Sequence, residues 1–95
     1  MTLDEASLRL EQRMLEPMRT PRHVRKELEA QLAQASDPLL ERLHGLVASC
    51  DMRTTPYYVR MIQACVALAP TLEPELGHQL VDHVAGLTKR FHLAR

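Results

Sequence analysis

Residues 55–70 read TPYYVRMIQACVALAP, and the fold turns on how that stretch is taken. Threonine followed by proline is a helix start. The threonine oxygen can cap the first turn, and proline's preset φ and missing N–H cost nothing there. From Tyr57 to Ala69 only Arg60 and Gln63 interrupt the apolar residues. The run is too long for one strand and shows no alternation of period two. A helix that is apolar nearly all round is either the centre of a fold or one half of an interface between molecules.

The same start signal recurs upstream, at Thr20-Pro21 and Asp37-Pro38. The first predicts a helix whose stripe is Val24, Leu28, Leu32 and Ala35. The second predicts one that turns Leu39, Leu43, Leu46, Val47 and Cys50 inward. The chain opens with Thr2 and Glu5 at the spacing of a capping box. Leu3, Leu10 and Met14 follow on one side, and Leu8 and Leu15 form a second apolar line. Pro17 predicts the end of that helix. The polar stretch Asp51–Thr54 is the longest expected loop. Pro70 and Pro74 bracket a turn, after which Leu76, Leu80, Val84, Leu87 and Phe91 recur at helical spacing. The starts at 20, 37 and 55 are nearly regular, but no other residues match, so the chain is not a repeat array.

These signals predict one all-α domain over residues 1–95, a small bundle of four to five helices. A chain of 95 residues buries about two-thirds of its unfolded surface, and a homodimer would bury more. Apolar residues make up 45% and charged residues 25%, which fits a globular protein and not a disordered one. Twelve cations balance twelve anions, so there is no excess positive charge to drive direct nucleic-acid binding. No apolar run reaches the length of a membrane span. The charged start MTLDEASLRLEQR lacks the apolar segment of a signal peptide, and a cytoplasmic location is expected.

Candidate chemistry is sparse. His78, Asp82 and His83 fall within two turns, and His78 and Asp82 share a face at four-residue spacing. A metal site would need another ligand from elsewhere, and no recognised ligand spacing is present; a solvated helix face is the plainer account, and no metal or cofactor is expected. Cys50 and Cys65 lie on apolar stripes, where free cysteine packs as a small hydrophobe. A redox thiol would want exposure beside cations. No nucleophile–base pair or carboxylate dyad can be assembled, so an enzyme is not expected. Gly77 and Gly86 fall inside helical patterns, which predicts that both lie near a helix crossing; the alternative is that one of them simply interrupts the helix.

What remains is surface. Residues 20–29, TPRHVRKELE, put Arg22, His23, Arg25 and Lys26 at a helix start, the end that favours anions. One reading is that Glu27 and Glu29 simply balance them in water; the alternative is a local positive field that orients an acidic partner. Tyr57 and Tyr58 point about 100° apart, so one can join the core while the other offers an interface anchor. The residues expected to meet another protein are therefore Leu8, Met14 and Leu15 on helix one, Arg22, Arg25 and Lys26, and Tyr57, Tyr58 and Met61 on helix four. The premise is that one chain this short cannot hide so much apolar helix.

The segment Thr55-Pro56-Tyr57-Tyr58-Val59-Arg60-Met61-Ile62-Gln63-Ala64-Cys65-Val66 resembles part of the TraM family of quorum-sensing antiactivators. The shared elements are a proline, a β-branched residue and arginine, then isoleucine, an acid or amide, and alanine in register, ahead of a long apolar helix. Overall length and helical character also agree. The resemblance implies a small helical dimer that sequesters a LuxR-type transcription regulator and blocks its DNA binding. A second reading is a secretion-type chaperone or adaptor that holds an amphipathic segment of a client protein.

Overall fold

Side-chain oxygens open two of the helices. In the computed structural model, which describes residues 1–16, 21–34, 37–49 and 56–93, the Thr2 hydroxyl accepts from the Glu5 N–H at 3.3 Å and starts α1 (Leu3–Arg13). The Asp37 carboxylate accepts from the Leu39 N–H at 2.9 Å and starts α3 (Pro38–Ser49). Each bond satisfies a backbone donor that the helix itself leaves unpaired. Proline is the first residue of α2 (Pro21–Gln34), α4 (Pro56–Leu68) and α5 (Pro74–Leu93), as it is of α3. The capping residues Thr20 and Thr55, the expected loop at 51–54, and Pro17, Ala35 and Cys50 lie outside the described residues.

A 3-10 turn, Ala69–Thr71, joins α4 to α5. Pro70 makes α4 end here, because it has no N–H to continue the helical ladder. The Thr71 hydroxyl donates to the Leu68 carbonyl at 2.6 Å and satisfies an acceptor that the end of α4 would otherwise leave open. Among the described residues there is no strand. The architecture is an all-α bundle, and no helix is long and apolar enough to cross a membrane.

α4 is the centre. It packs against α1, α2, α3 and α5, and its residues Met61, Ile62, Gln63, Ala64 and Cys65 are consecutive and all buried. A run of five covers every direction around a helix axis, so α4 has neighbours on all sides. α1 contributes Ala6, Leu10 and Met14 to the same core, α3 contributes Leu39, Leu43, Leu46 and Val47, and α5 contributes Leu76, Leu80, Val81 and Val84. Thr88 is buried on α5 because its hydroxyl donates to the Val84 carbonyl at 2.8 Å. No buried side-chain nitrogen or oxygen among the described residues lacks a partner. The radius of gyration, 12.5 Å, matches the ~12 Å of a compact chain of this length.

Of the two readings of helix four, the centre of the fold is the one seen: its described residues 61–65 are enclosed by the chain's own helices. Of the two glycines placed at helix crossings, only Gly77 is at one. A Cβ there would lie 2.9 Å from the Ala69 carbonyl oxygen and 3.1 Å from a Leu39 methyl, so the start of α5 approaches both the turn before it and α3. A Cβ on Gly86 would meet nothing within 4 Å, and α5 runs through that position unbroken.

Candidate protein-docking surface

The exposed apolar side chains define where another protein can dock. Among the described residues the large hydrophobics left in water are Met1, Leu8, Leu15 and Tyr57. Leu8 is 57% exposed and Leu15 84% exposed. They stand seven residues apart, two helical turns, and so share one side of α1. The α1 backbone stops at Arg13, but the Leu15 N–H donates to the Gln12 carbonyl at 3.2 Å and the Glu16 N–H to Arg13 at 3.1 Å. That extra turn keeps Leu15 near the helical path. The opposite side of α1 is the one that Ala6, Leu10 and Met14 bury.

A single side chain places a second exposed group at the same end. The Arg60 guanidinium, in the second turn of α4, donates to the Met14 carbonyl at 3.0 Å. Met14 is the C-cap of α1, so a cation answers both an unpaired carbonyl and the negative end of the helix. This contact holds the start of α4 beside the end of α1. Tyr57, three residues before Arg60 and 56% exposed, therefore sits at the end of the α1–α4 pair that also carries Leu15. Helix α2 begins five residues after Glu16, with His23 and Lys26 exposed near its start.

The nine expected docking residues thus separate. Leu8, Leu15, Lys26 and Tyr57 are exposed. Met14 and Met61 are 8% and 2% exposed and belong to the core; Met14 turns inward with Leu10, four residues before it, and Met61 is enclosed like the rest of α4. Within this chain both pack in the core and not on the exposed face. The side chains of Arg22, Arg25 and Tyr58 lie outside the described set.

The remaining polar chemistry ties helices together. Arg42 of α3 donates from one guanidinium nitrogen to His78 Nδ1 at 2.9 Å and from the other to the Asp82 carboxylate, both on α5. An arginine can only donate, so Nδ1 accepts and the ring proton sits on Nε2. The two α5 residues whose spacing suggested a shared ligand face hold a cation from the chain itself. Arg42 had no mark in the sequence, because its partners lie 36 and 40 residues away. His44 Nε2 lies 3.5 Å from a Glu29 oxygen and links α3 to α2. No three His, Cys, Asp or Glu side chains among the described residues converge on a point that could hold a metal. Cys65 is fully buried, and burial pushes its thiol up from 9.0 to about 12, the opposite of what a reactive thiolate needs.

No known protein family, curated protein or solved structure matches this chain.

Proposed function

We propose that this chain is a small cytoplasmic regulator that works by binding another protein, as an antiactivator that covers a LuxR-type transcription regulator and prevents it from reaching DNA. The observation that carries the protein-binding half is the outer face of α1. It keeps two leucines in water on a helix whose other side already serves the core. The antiactivator half is supported by the likeness of residues 55–66 to the TraM segment.

The mechanism is occlusion. Leu8 and Leu15 present apolar area, Tyr57 adds an aromatic with a polar tip at the same end, and such rigid aromatic and aliphatic groups anchor interfaces. Two leucines expose no more than roughly 300 Å², a patch that ordinary monomers tolerate. Apolar contact alone therefore yields modest affinity, and the charges around the patch must select the partner. Lys26, exposed near the start of α2, contributes one positive charge to the surface. A homodimer is part of this proposal.

The test has two readouts. The tagged chain is used to capture partners from its native host, and the captured regulator is assayed for operator binding with and without the chain. Loss of operator binding in proportion to added chain is the expected result. A captured protein whose DNA binding is unchanged overturns the antiactivator reading and favours a chaperone or adaptor. Solution mass, measured alongside, decides the dimer.

A further inference from the structure

We infer that the outer face of α1 docks a basic amphipathic helix, one whose apolar residues are flanked by lysine or arginine. This rests on the protein-binding reading and names the partner's chemistry. On a helix surface the neighbours of a residue are those three and four positions away. For Leu8 these are Asp4, Glu5, Glu11 and Gln12; for Leu15 they include Glu11 and Gln12, with Glu16 beside it. All of these polar residues are exposed. Among the described residues, the positions three and four away from the leucines hold carboxylates and one amide and no cation; one residue away stand Glu16 beside Leu15 and Arg9 beside Leu8. The cations of this helix, Arg9 and Arg13, lie about 100° and 140° around the axis from Leu8.

None of Asp4, Glu5, Glu11 and Glu16 is paired with a cation among the described residues. Their N-terminal members, Asp4 and Glu5, suit the start of α1, but Glu11 and Glu16 stand at its far end, where a negative charge is unfavourable. Local helix energetics therefore do not account for the arrangement, whereas a cationic partner does. An apolar line bordered by acids is complementary to a helix with an apolar line bordered by bases. The same border of acids disfavours docking of two α1 faces on each other, because acid would meet acid.

The probes are two synthetic helical peptides of about fifteen residues with identical leucine stripes, one flanked by lysines and the other by glutamates. Binding to the full chain is measured by fluorescence anisotropy at low and high salt. The lysine peptide is expected to bind at least about tenfold more tightly than the glutamate peptide, with the difference shrinking as salt screens the charges. The triple variant Glu5→Lys, Glu11→Lys, Glu16→Lys, which turns the summed charge of positions 4, 5, 11 and 16 from negative to positive, is expected to reverse the order, and Leu8→Ser with Leu15→Ser to abolish binding of both. Circular dichroism confirms that each variant keeps its helices. Equal binding of the two peptides overturns the inference, as does binding that survives loss of both leucines. So does self-association of the chain that Leu8→Ser removes, since a second copy would then be the occupant. A native partner captured equally well by the charge-reversed variant also overturns it while leaving the protein-binding reading intact; failure to capture any partner strikes that reading instead.

Discussion

α4 and α1 are both helices with more apolar residues than a single stripe requires, and the bundle treats them oppositely. α4 is surrounded by the other four helices, and its interruptions are few: Arg60 reaches out to the end of α1 and Gln63 is buried. α1 lies at the edge, commits Ala6, Leu10 and Met14 to the core, and leaves Leu8 and Leu15 in water. The difference lies in what stands between the apolar residues. In α4 the gaps are filled by more apolar residues, so every direction seeks a neighbour. In α1 they are filled by Asp4, Glu5, Glu11 and Gln12, which need solvent or a charged partner. Apolar content alone says that a helix is sticky; the residues interleaved with it decide whether the chain itself or another molecule is what it sticks to.

The sharpest way to break this comparison is to hollow α4. Ile62 is fully buried, and Ile62→Ala is expected to cost about 2–5 kcal/mol, the lost burial plus the cavity left behind. Chemical denaturation monitored by circular dichroism reads this directly. A loss under about 1 kcal/mol would mean that α4 is not enclosed in solution. Somewhat smaller is Gly77→Ala, expected to destabilise by about 1–3 kcal/mol. The Leu39 methyl can rotate aside, but the Ala69 carbonyl oxygen at 2.9 Å belongs to the backbone that links α4 to α5. Gly86→Ala serves as its control. With open space at Cβ and a helical backbone, it should stabilise by about 0.5–1 kcal/mol.

Cys65 probes the same interior by pH. Burial raises its folded value from 9.0 to about 12, so above pH 9 the unfolded chain loses the thiol proton first. The stability contributed by the neutral buried thiol is complete below pH 9 and declines as pH rises toward 12. The gap in unfolding free energy between the parent and Cys65→Ala should be flat at neutral pH and narrow in alkali, because the other titrating groups are common to both proteins. A gap that stays constant would show the thiol to be in contact with water.

Much of the fold was legible because its signals are local. Thr2 and Asp37 cap their helices within three residues, prolines open α2 to α5, and the α5 line Leu76, Leu80, Val84 needs only helical periodicity. What was not legible depends on distant parts of the chain. Arg42 meets His78 and Asp82 across about forty residues, and the crowding of Gly77 comes from Leu39 and Ala69. Gly86 looks the same as Gly77 in sequence because a glycine does not record what stands opposite it. The docking face was legible in part. Leu8 and Leu15 could be separated from Leu3, Leu10 and Met14 by angle alone, whereas the burial of Met61 required knowing that α4 is enclosed.

The smallest expected effect is the most informative about α1. Leu8→Ser and Leu15→Ser should each change the unfolding free energy by no more than about 0.5 kcal/mol, as substitutions at exposed positions away from caps and cores do. Leu10→Ser, two residues along the same helix and buried, should cost several times more, since it removes core contacts and buries a hydroxyl. The contrast between positions 8 and 10 therefore measures how sharply α1 is divided. A large loss for Leu8→Ser would show that this leucine serves the chain's own stability, and the face that it marks would no longer be available to a partner. A negligible loss shows that the two leucines stay in water without helping the molecule to fold, which is the condition the proposed docking face requires.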